Sequence, residues 1–215
     1  MLLIDKPLHW TSFDVVRKLR NILHIKKIGH AGTLDPLATG LLIVCTGKFT
    51  KRINEFMAQT KEYTGTITLG AVTLTYDLES EPENFQSTNS ITIETIREAA
   101  LQLTGPILQV PPAHSAIKVN GKRVYELARQ GKEVKLEPRP VTIYTFDILS
   151  FEKDVVQFRV SCSTGTYIRS LANDLGRIIG CGGYLSSLRR TKIGEFTVNE
   201  AQSMEAFEEA YKMKG

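Results

Sequence analysis

Asp35 stands in a run of small, apolar and conformationally free residues, Gly29-His30-Ala31-Gly32-Thr33-Leu34-Asp35-Pro36-Leu37-Ala38-Thr39-Gly40. Glycines and a proline at this density argue for a loop. Gly29, Gly32 and Gly40 let the backbone approach a ligand closely, and Thr33 with the loop N–H groups can hold the carboxylate still. A carboxylate so placed serves as a nucleophile or a base. Taken alone, the pattern also fits an aspartate that stabilises its own turn before a proline. Tyr167 and Arg169 lie two residues apart. On a strand they would share a face; at a helix start they would diverge by about 200°. Tyr63 alternates with threonines and fits an inward-facing core aromatic. The four histidines (His9, His24, His30, His114) are isolated, and no CxxC or HExxH spacing occurs, so no metal cluster is expected.

The chain of 215 residues is 42% apolar and 23% charged, an ordinary globular composition. Its net charge is only +4, but the charge is unevenly spread. Residues 1–52 carry 9 basic and 3 acidic groups, residues 53–110 carry 2 and 8, residues 111–192 carry 14 and 7, and the remainder carries 2 and 5. Two basic segments around an acidic one can form a basic face and an acidic back; on charge alone, a solvated surface is the simpler account. Three cysteines, Cys45, Cys162 and Cys181, are odd in number and far apart, which fits thiols in a reducing cytosol. The N-terminus is not a signal peptide, and no apolar run approaches the ~20 residues of a membrane span. The expectation is a cytoplasmic protein.

The elements that must position these residues follow from periodicity. Leu2–Asp5 reads as a strand. Thr11 or Ser12 caps a helix whose apolar positions are Phe13, Val16, Leu19 and Leu23, with Arg17, Lys18 and Arg20 on other faces. Leu41–Cys45 is a buried strand, followed by a short helix with Phe49, Ile53 and Phe56. Tyr63–Leu69 alternates as a strand, residues 77–90 form an exposed acidic loop, and Thr92 caps a helix to about Leu103. Asn120-Gly121 marks a tight turn, Val124–Gln130 a helix, and Val141–Phe151 with Val155–Ser163 a hairpin turning at Glu152-Lys153-Asp154. Thr166 caps a helix to Ile179, Tyr184–Phe196 is extended, and Asn199 caps a last helix carrying Met204 and Phe207. Interspersed helices and hairpins predict an α+β fold: a mixed, largely antiparallel sheet with flanking helices.

The Gly29–Gly40 run resembles the signature of the TruB family of tRNA pseudouridine synthases. So do Asp5-Lys6-Pro7 with Thr11-Ser12, and Lys61-Glu62-Tyr63. Pro111-Pro112, Ser115-Ala116, Lys118, Gly121, Tyr125-Glu126 and Ala128-Arg129 are similar to the family's RNA-clasping insertion. Gly165-Thr166-Tyr167-Ile168-Arg169 and Leu188-Arg189-Arg190 complete the set, in family order. The resemblance implies the pseudouridine synthase fold with a mobile insertion at about 111–137. It also implies isomerisation of one uridine, position 55 in the TΨC arm of tRNA, by cleavage of C1′–N1 and rejoining through C5, without metal or cofactor.

The same resemblance assigns roles. Asp35 is the essential carboxylate, either attacking C1′ or removing the C2′ proton. Tyr63 stacks on the flipped base. Arg169 pairs with Asp35, and Tyr167 either serves the proton transfer at C5 or orients the group that does. His30 holds the flipped-out loop, Gly32 and Thr33 line the substrate site, and Leu188 is an apolar wall. Lys6 and Lys118 lead a basic footprint on the RNA that also includes Lys122, Arg123, Arg129, Arg189 and Arg190.

Two positions depart from the family: His9 replaces a usual glycine, with Trp10 beside it, and His114 replaces a usual aromatic. The expected organisation is a catalytic domain over 1–196 and a helical tail over 197–215, without the PUA-type RNA-binding domain that full-length relatives carry. The expected state is a monomer with no obligate protein partner and no membrane. The rival readings are a guide-RNA-dependent relative and a tRNA-folding chaperone with incidental catalysis.

Overall fold

The structure is a computed structural model that describes residues 1–112, 118–119, 122–123 and 136–213. In chain order its elements begin with β1 (Leu2–Lys6), α1 (Ser12–Leu23), β2 (Ile28–His30), β3 (Ala38–Thr46), a 3-10 turn (Gly47–Arg52), α2 (Ile53–Ala58), β4 (Lys61–Leu69), α3 (Ile93–Gln102) and β5 (Gly105–Gln109). They continue with β6 (Lys118–Val119), β7 (Lys122–Arg123), β8 (Arg139–Glu152), β9 (Val155–Cys162), α4 (Ile168–Ile179), β10 (Gly183–Ile193), β11 (Phe196–Thr197), β12 (Gln202–Ser203) and α5 (Met204–Lys212). The fold is α+β with a mixed sheet, as the sequence predicts. The chain forms two compact units, Met1–Thr64 with Ser187–Gly215, and Gly65–Ser186. It passes between them within β4 and within β10.

In the first unit, β3 is the central strand. β1 pairs with it antiparallel from Leu2↔Val44 to Lys6↔Gly40. Its other edge is shared: β10 runs parallel to its start (Leu188↔Ala38 to Arg190↔Gly40), and β2 runs antiparallel to its end. Strand β3 is an unbroken apolar run because both its faces are covered. Leu42 and Val44 meet Ile4, Val15, Val16, Leu19, Met204 and Phe207 on one face. Leu41, Ile43 and Cys45 meet Ala31, Phe56 and Ile193 on the other.

Helix α1 begins with a capping box, in which Thr11 and Asp14 satisfy each other's backbone N–H. Its buried face is Ser12, Val15, Val16 and Leu19, and Phe13 is exposed. Val16 and Leu19 are buried as expected and Leu23 packs on the same cluster; only Phe13 is out, because Ser12, a polar residue, takes the inward place for a reason given below. Helix α5 is capped by Ser203, not Asn199, which lies in a 3-10 turn closed by its own Thr197–Glu200 capping box. Met204 and Phe207 enter the core beneath α1, and β12 adds a parallel strand to β1. Residues 197–213 are thus packed into the first unit.

In the second unit, β4, β9, β8 and β5 lie in that order. Strands β8 and β9 form a hairpin whose turn residues Lys153 and Asp154 both have positive φ (48° and 68°), the geometry of a type I′ turn. Phe146 and Phe158 meet edge to face at 5.8 Å. Helices α3 and α4 are in contact, and Ile96, Ala99 and Ala100 of the one and Leu171, Ala172 and Leu175 of the other are buried. Gly105, just beyond the end of α3, opens β5, which pairs with β8.

Within the expected insertion, β6 and β7 pair antiparallel, Lys118 opposite Arg123. His114, the Asn120-Gly121 turn and the Val124–Gln130 helix lie outside the described residues. Cys45, Cys162 and Cys181 are buried thiols. No helix among the described residues is long and apolar enough to cross a membrane.

Candidate active site

The Asp35 loop of the first unit is fastened at almost every residue. Ala31 N–H donates to Ile43 C=O at 2.9 Å, and Ala38 N–H closes a turn onto Asp35 C=O at 3.0 Å, with Pro36 in its favoured second position. The Ser12 hydroxyl donates to Leu34 C=O (3.2 Å) and accepts from Leu34 N–H (2.9 Å). His9 N–H reaches Pro36 C=O at 2.8 Å. The Arg190 guanidinium, 1% exposed, donates to the carbonyls of Leu41 (2.8 Å), Gly32 (3.1 Å) and Thr33 (3.5 Å). Asp35 is half-buried and held by a loop with few remaining degrees of freedom.

Two glycines are required by this construction. Gly32 has φ +91°, and Gly40 has φ +102° beside Arg190; a Cβ on Gly40 would lie 2.3 Å from the Arg190 carbonyl oxygen.

Lys6 ends β1 next to Gly40 and is fully buried. Its ammonium donates to the carbonyls of Pro7 (2.9 Å) and Trp10 (2.5 Å). Burial pushes its pKa down to about 8; the Asp35 carboxylate pulls it up, and the Arg190 charge pushes it further down. Lys6 therefore acts inside the protein, as a cation in the field of Asp35. Arg190, grouped with the footprint by sequence, is also buried and spent on the loop. Arg189 pairs with Asp5 through two nitrogens at 2.7 and 3.0 Å.

Leu188 is half-buried opposite Ala38, three residues from Asp35. Tyr63 is buried in β4. His30 ends β2 opposite Val44; burial lowers its pKa, partly offset by a hydrogen bond with the Gly32 backbone, so its imidazole is neutral at pH 7. Thr33 is exposed and Gly32 partly so.

Tyr167 and Arg169 belong to the second unit, at the start of α4. The helix begins one residue later than expected, with Tyr167 as its N-cap, while Thr166 turns back to Ser163 C=O at 2.9 Å. The cause is Gln109, 2% exposed, whose side-chain amide accepts from Tyr167 N–H (2.8 Å) and donates to Tyr167 C=O (3.1 Å). Arg169 is buried; its Nε lies 3.5 Å from Asp77 Oδ2, and Nη1 donates to Thr75 C=O at 3.3 Å. Asp77, placed by sequence in an exposed loop, is 4% exposed, and the exposed stretch starts after it. Sequence reasoning missed the clamping roles of Ser12, Arg190, Gln109 and Asp77. Only Ser12 and Arg190 carried a signal, as members of recurring motifs.

Residues 20–168 match the TruB family pseudouridylate synthase N-terminal domain. Residues 169–214 match the tRNA pseudouridylate synthase B C-terminal domain. The chain belongs to the TruB family of pseudouridylate synthases. It is 51% identical over 217 residues to a protein of Flavobacterium johnsoniae named tRNA pseudouridine synthase B, covering 98% of this chain and 95% of that one. It is 49% identical over 215 residues to one so named from Parabacteroides distasonis, covering 97% and 92%. Among solved structures, it resembles a chain of a Cbf5–Nop10–Gar1 complex with a TM-score of 0.78 and 29% identity, over 99% of this chain and 54% of that one. A chain of an H/ACA RNP bound to a substrate RNA containing 2′-deoxyuridine gives 0.74 and 27%, over 99% and 53%. The chain spans about half the length of these solved chains.

Proposed function

We propose that this protein isomerises uridine to pseudouridine at position 55 in the TΨC arm of tRNA, with Asp35 as the essential carboxylate. The observation that carries the reading is the Asp35 loop, immobilised by Ser12 and Arg190 with a buried lysine in its field. A reaction that replaces the C1′–N1 bond by a C1′–C5 bond within a single nucleotide, with a proton leaving C5 and one taken up at N1, calls for placement more than for a cofactor. Identity near 50% along nearly the whole length of proteins named for this activity supports the same assignment.

The uridine leaves the stack to be reached. Tyr63 stacks on it, Leu188 walls the pocket, and Gly32 and Thr33 contact the nucleotide through the loop. His30, neutral, braces the flipped conformation. Arg169, buried at the start of α4, is the arginine that the family resemblance assigns as counter-ion to the carboxylate. Tyr167 serves the proton transfer at C5 or orients the group that does. Lys118 and its basic neighbours hold phosphates, which makes binding weaken steeply with salt. Asp35 acts by attack at C1′ or by removing the C2′ proton. The protein works in the cytoplasm as a monomer, without a guide RNA, metal or cofactor.

Carbodiimide mapping of unmodified tRNA incubated with the protein alone tests reaction and position together. A new stop at position 55 is expected, absent with Asp35→Asn, which still binds tRNA. Product formation by Asp35→Asn overturns the mechanism. Inactivity without a guide RNA overturns the stand-alone reading.

A further inference from the structure

A cleft of about 340 Å³ lies on the first unit, lined by His9, Trp10, Asp14, Arg17, Lys18 and Asn21. The connection between β1 and α1 supplies the two rings. Asp14, Arg17, Lys18 and Asn21 follow at spacings of three and four, a single stripe of α1. We infer that this cleft is a second nucleotide subsite, in which an unpaired base of the substrate RNA stacks on Trp10 while Arg17 and Lys18 hold its phosphates. The inference rests on the tRNA-modifying function proposed above and extends it to a nucleotide other than the reacting uridine.

The chemistry of the lining selects that ligand. Aromatic rings accept the face of any base, cations take phosphates, and the Asn21 amide offers a donor and an acceptor to a base edge. The one carboxylate does not oppose an anion, because it is already engaged. Asp14 accepts from Thr11 N–H (3.0 Å), Thr11 Oγ1 (2.6 Å) and Arg17 Nη2 (2.8 Å). Arg17 is thus shared with Asp14 (2.8 Å) and Lys18 with Glu208 of α5 (2.9 Å); the Arg17 guanidinium, with five N–H donors, can keep that pairing while it contacts a phosphate. The volume lies within the ~300–1,000 Å³ of small-molecule sites.

Placement ties the cleft to the reaction. His9 N–H holds Pro36, the residue after Asp35, and the Trp10 carbonyl takes the Lys6 ammonium. His9 adopts φ +65°, a left-handed conformation uncommon outside glycine. An imidazole is therefore kept where glycine would fit more easily, and strain of this kind concentrates at ligand sites.

Trp10 is the chain's single tryptophan, so its emission reports on this cleft alone. The test follows tryptophan emission as unlabelled T-arm hairpin RNA is added to the protein and, separately, the anisotropy of the fluorescein-labelled hairpin as protein is added to it. Emission is expected to fall with the same dissociation constant that the rise in anisotropy gives. Arg17→Ala is expected to raise KM for the hairpin about tenfold, the scale of one lost hydrogen bond to a charged group, with the loss in KM rather than kcat. His9→Gly is expected to weaken binding while raising Tm, a combination that a purely structural role would not produce. A hairpin that binds with emission unchanged, or binds both variants as it binds wild type, overturns the subsite and leaves the proposed function standing. A hairpin that does not bind at all overturns both.

Discussion

The Ser12 hydroxyl bonds both backbone groups of Leu34, one residue before Asp35. This places a polar residue on the buried face of α1, where apolar periodicity would put an aliphatic one. Helix α1, anchored by Val15, Val16 and Leu19, thereby carries the loop at its N-terminus. Ser12→Ala removes both bonds and leaves a buried N–H and C=O unsatisfied, which costs about 1–3 kcal/mol. The expected outcome is a lower midpoint in chemical denaturation, together with a fall in kcat larger than the change in KM. A variant with wild-type kcat would show that the loop is held well enough without Ser12.

Gln109 is to Tyr167 what Ser12 is to Leu34. Its amide grips both the N–H and the C=O of the residue that caps α4. Gln109→Leu keeps the bulk and removes both bonds. Gln109→Glu keeps an acceptor for the N–H and sets a carboxylate against the C=O. Both are expected to lower kcat, with far-ultraviolet circular dichroism unchanged, because the contact positions one helix start and not the sheet. Wild-type turnover in both variants would remove Gln109 from the positioning of Tyr167.

Much of the fold was legible because apolar periodicity reports burial directly. Strand β3 read as buried from its continuous run, and the β8–β9 hairpin from alternation on either side of Lys153-Asp154. What misled was polar burial. Ser12 displaced Phe13 from the inward face, and Gln109 moved the start of α4 past Thr166. Asp77 is buried by its pairing with Arg169. These contacts join residues 22, 58 or 92 positions apart, and no local pattern encodes them. Asp35 itself was found by motif; that Lys6 and Arg190 face inward toward its loop was not.

Lys6 gives a prediction in pH. Burial lowers its folded-state pKa to about 8 against an ordinary 10.5. Between those values the unfolded chain binds more protons than the folded one, so stability rises with pH across the window. The contribution is fully present above about 10.5 and is lost as pH falls through about 8. Urea unfolding from pH 7.5 to 10.5 should show wild type gaining on Lys6→Met, by on the order of 3 kcal/mol over the full window. Activity should fall along the same limb, as deprotonation withdraws the cation from the field of Asp35. Parallel stability profiles for the two proteins would place the Lys6 titration elsewhere.

Gly40 and Gly47 make a controlled pair within β3 and its exit. Both have positive φ, +102° and +54°. A Cβ on Gly47 meets nothing within 4 Å, so Gly47→Ala bears only the left-handed backbone penalty of roughly 1–2 kcal/mol. A Cβ on Gly40 would lie 2.3 Å from the carbonyl oxygen and 2.7 Å from the nitrogen of Arg190, so the strands must separate. Separation of β3 from β10 also draws the Arg190 guanidinium off the carbonyls of Gly32 and Thr33, which loosens the Asp35 loop. Gly40→Ala should therefore lower Tm well beyond Gly47→Ala and abolish turnover in whatever fraction remains folded, whereas Gly47→Ala should keep its turnover. Equal Tm losses in the two variants would mean that β3 and β10 separate easily, and that the loop does not depend on their close approach.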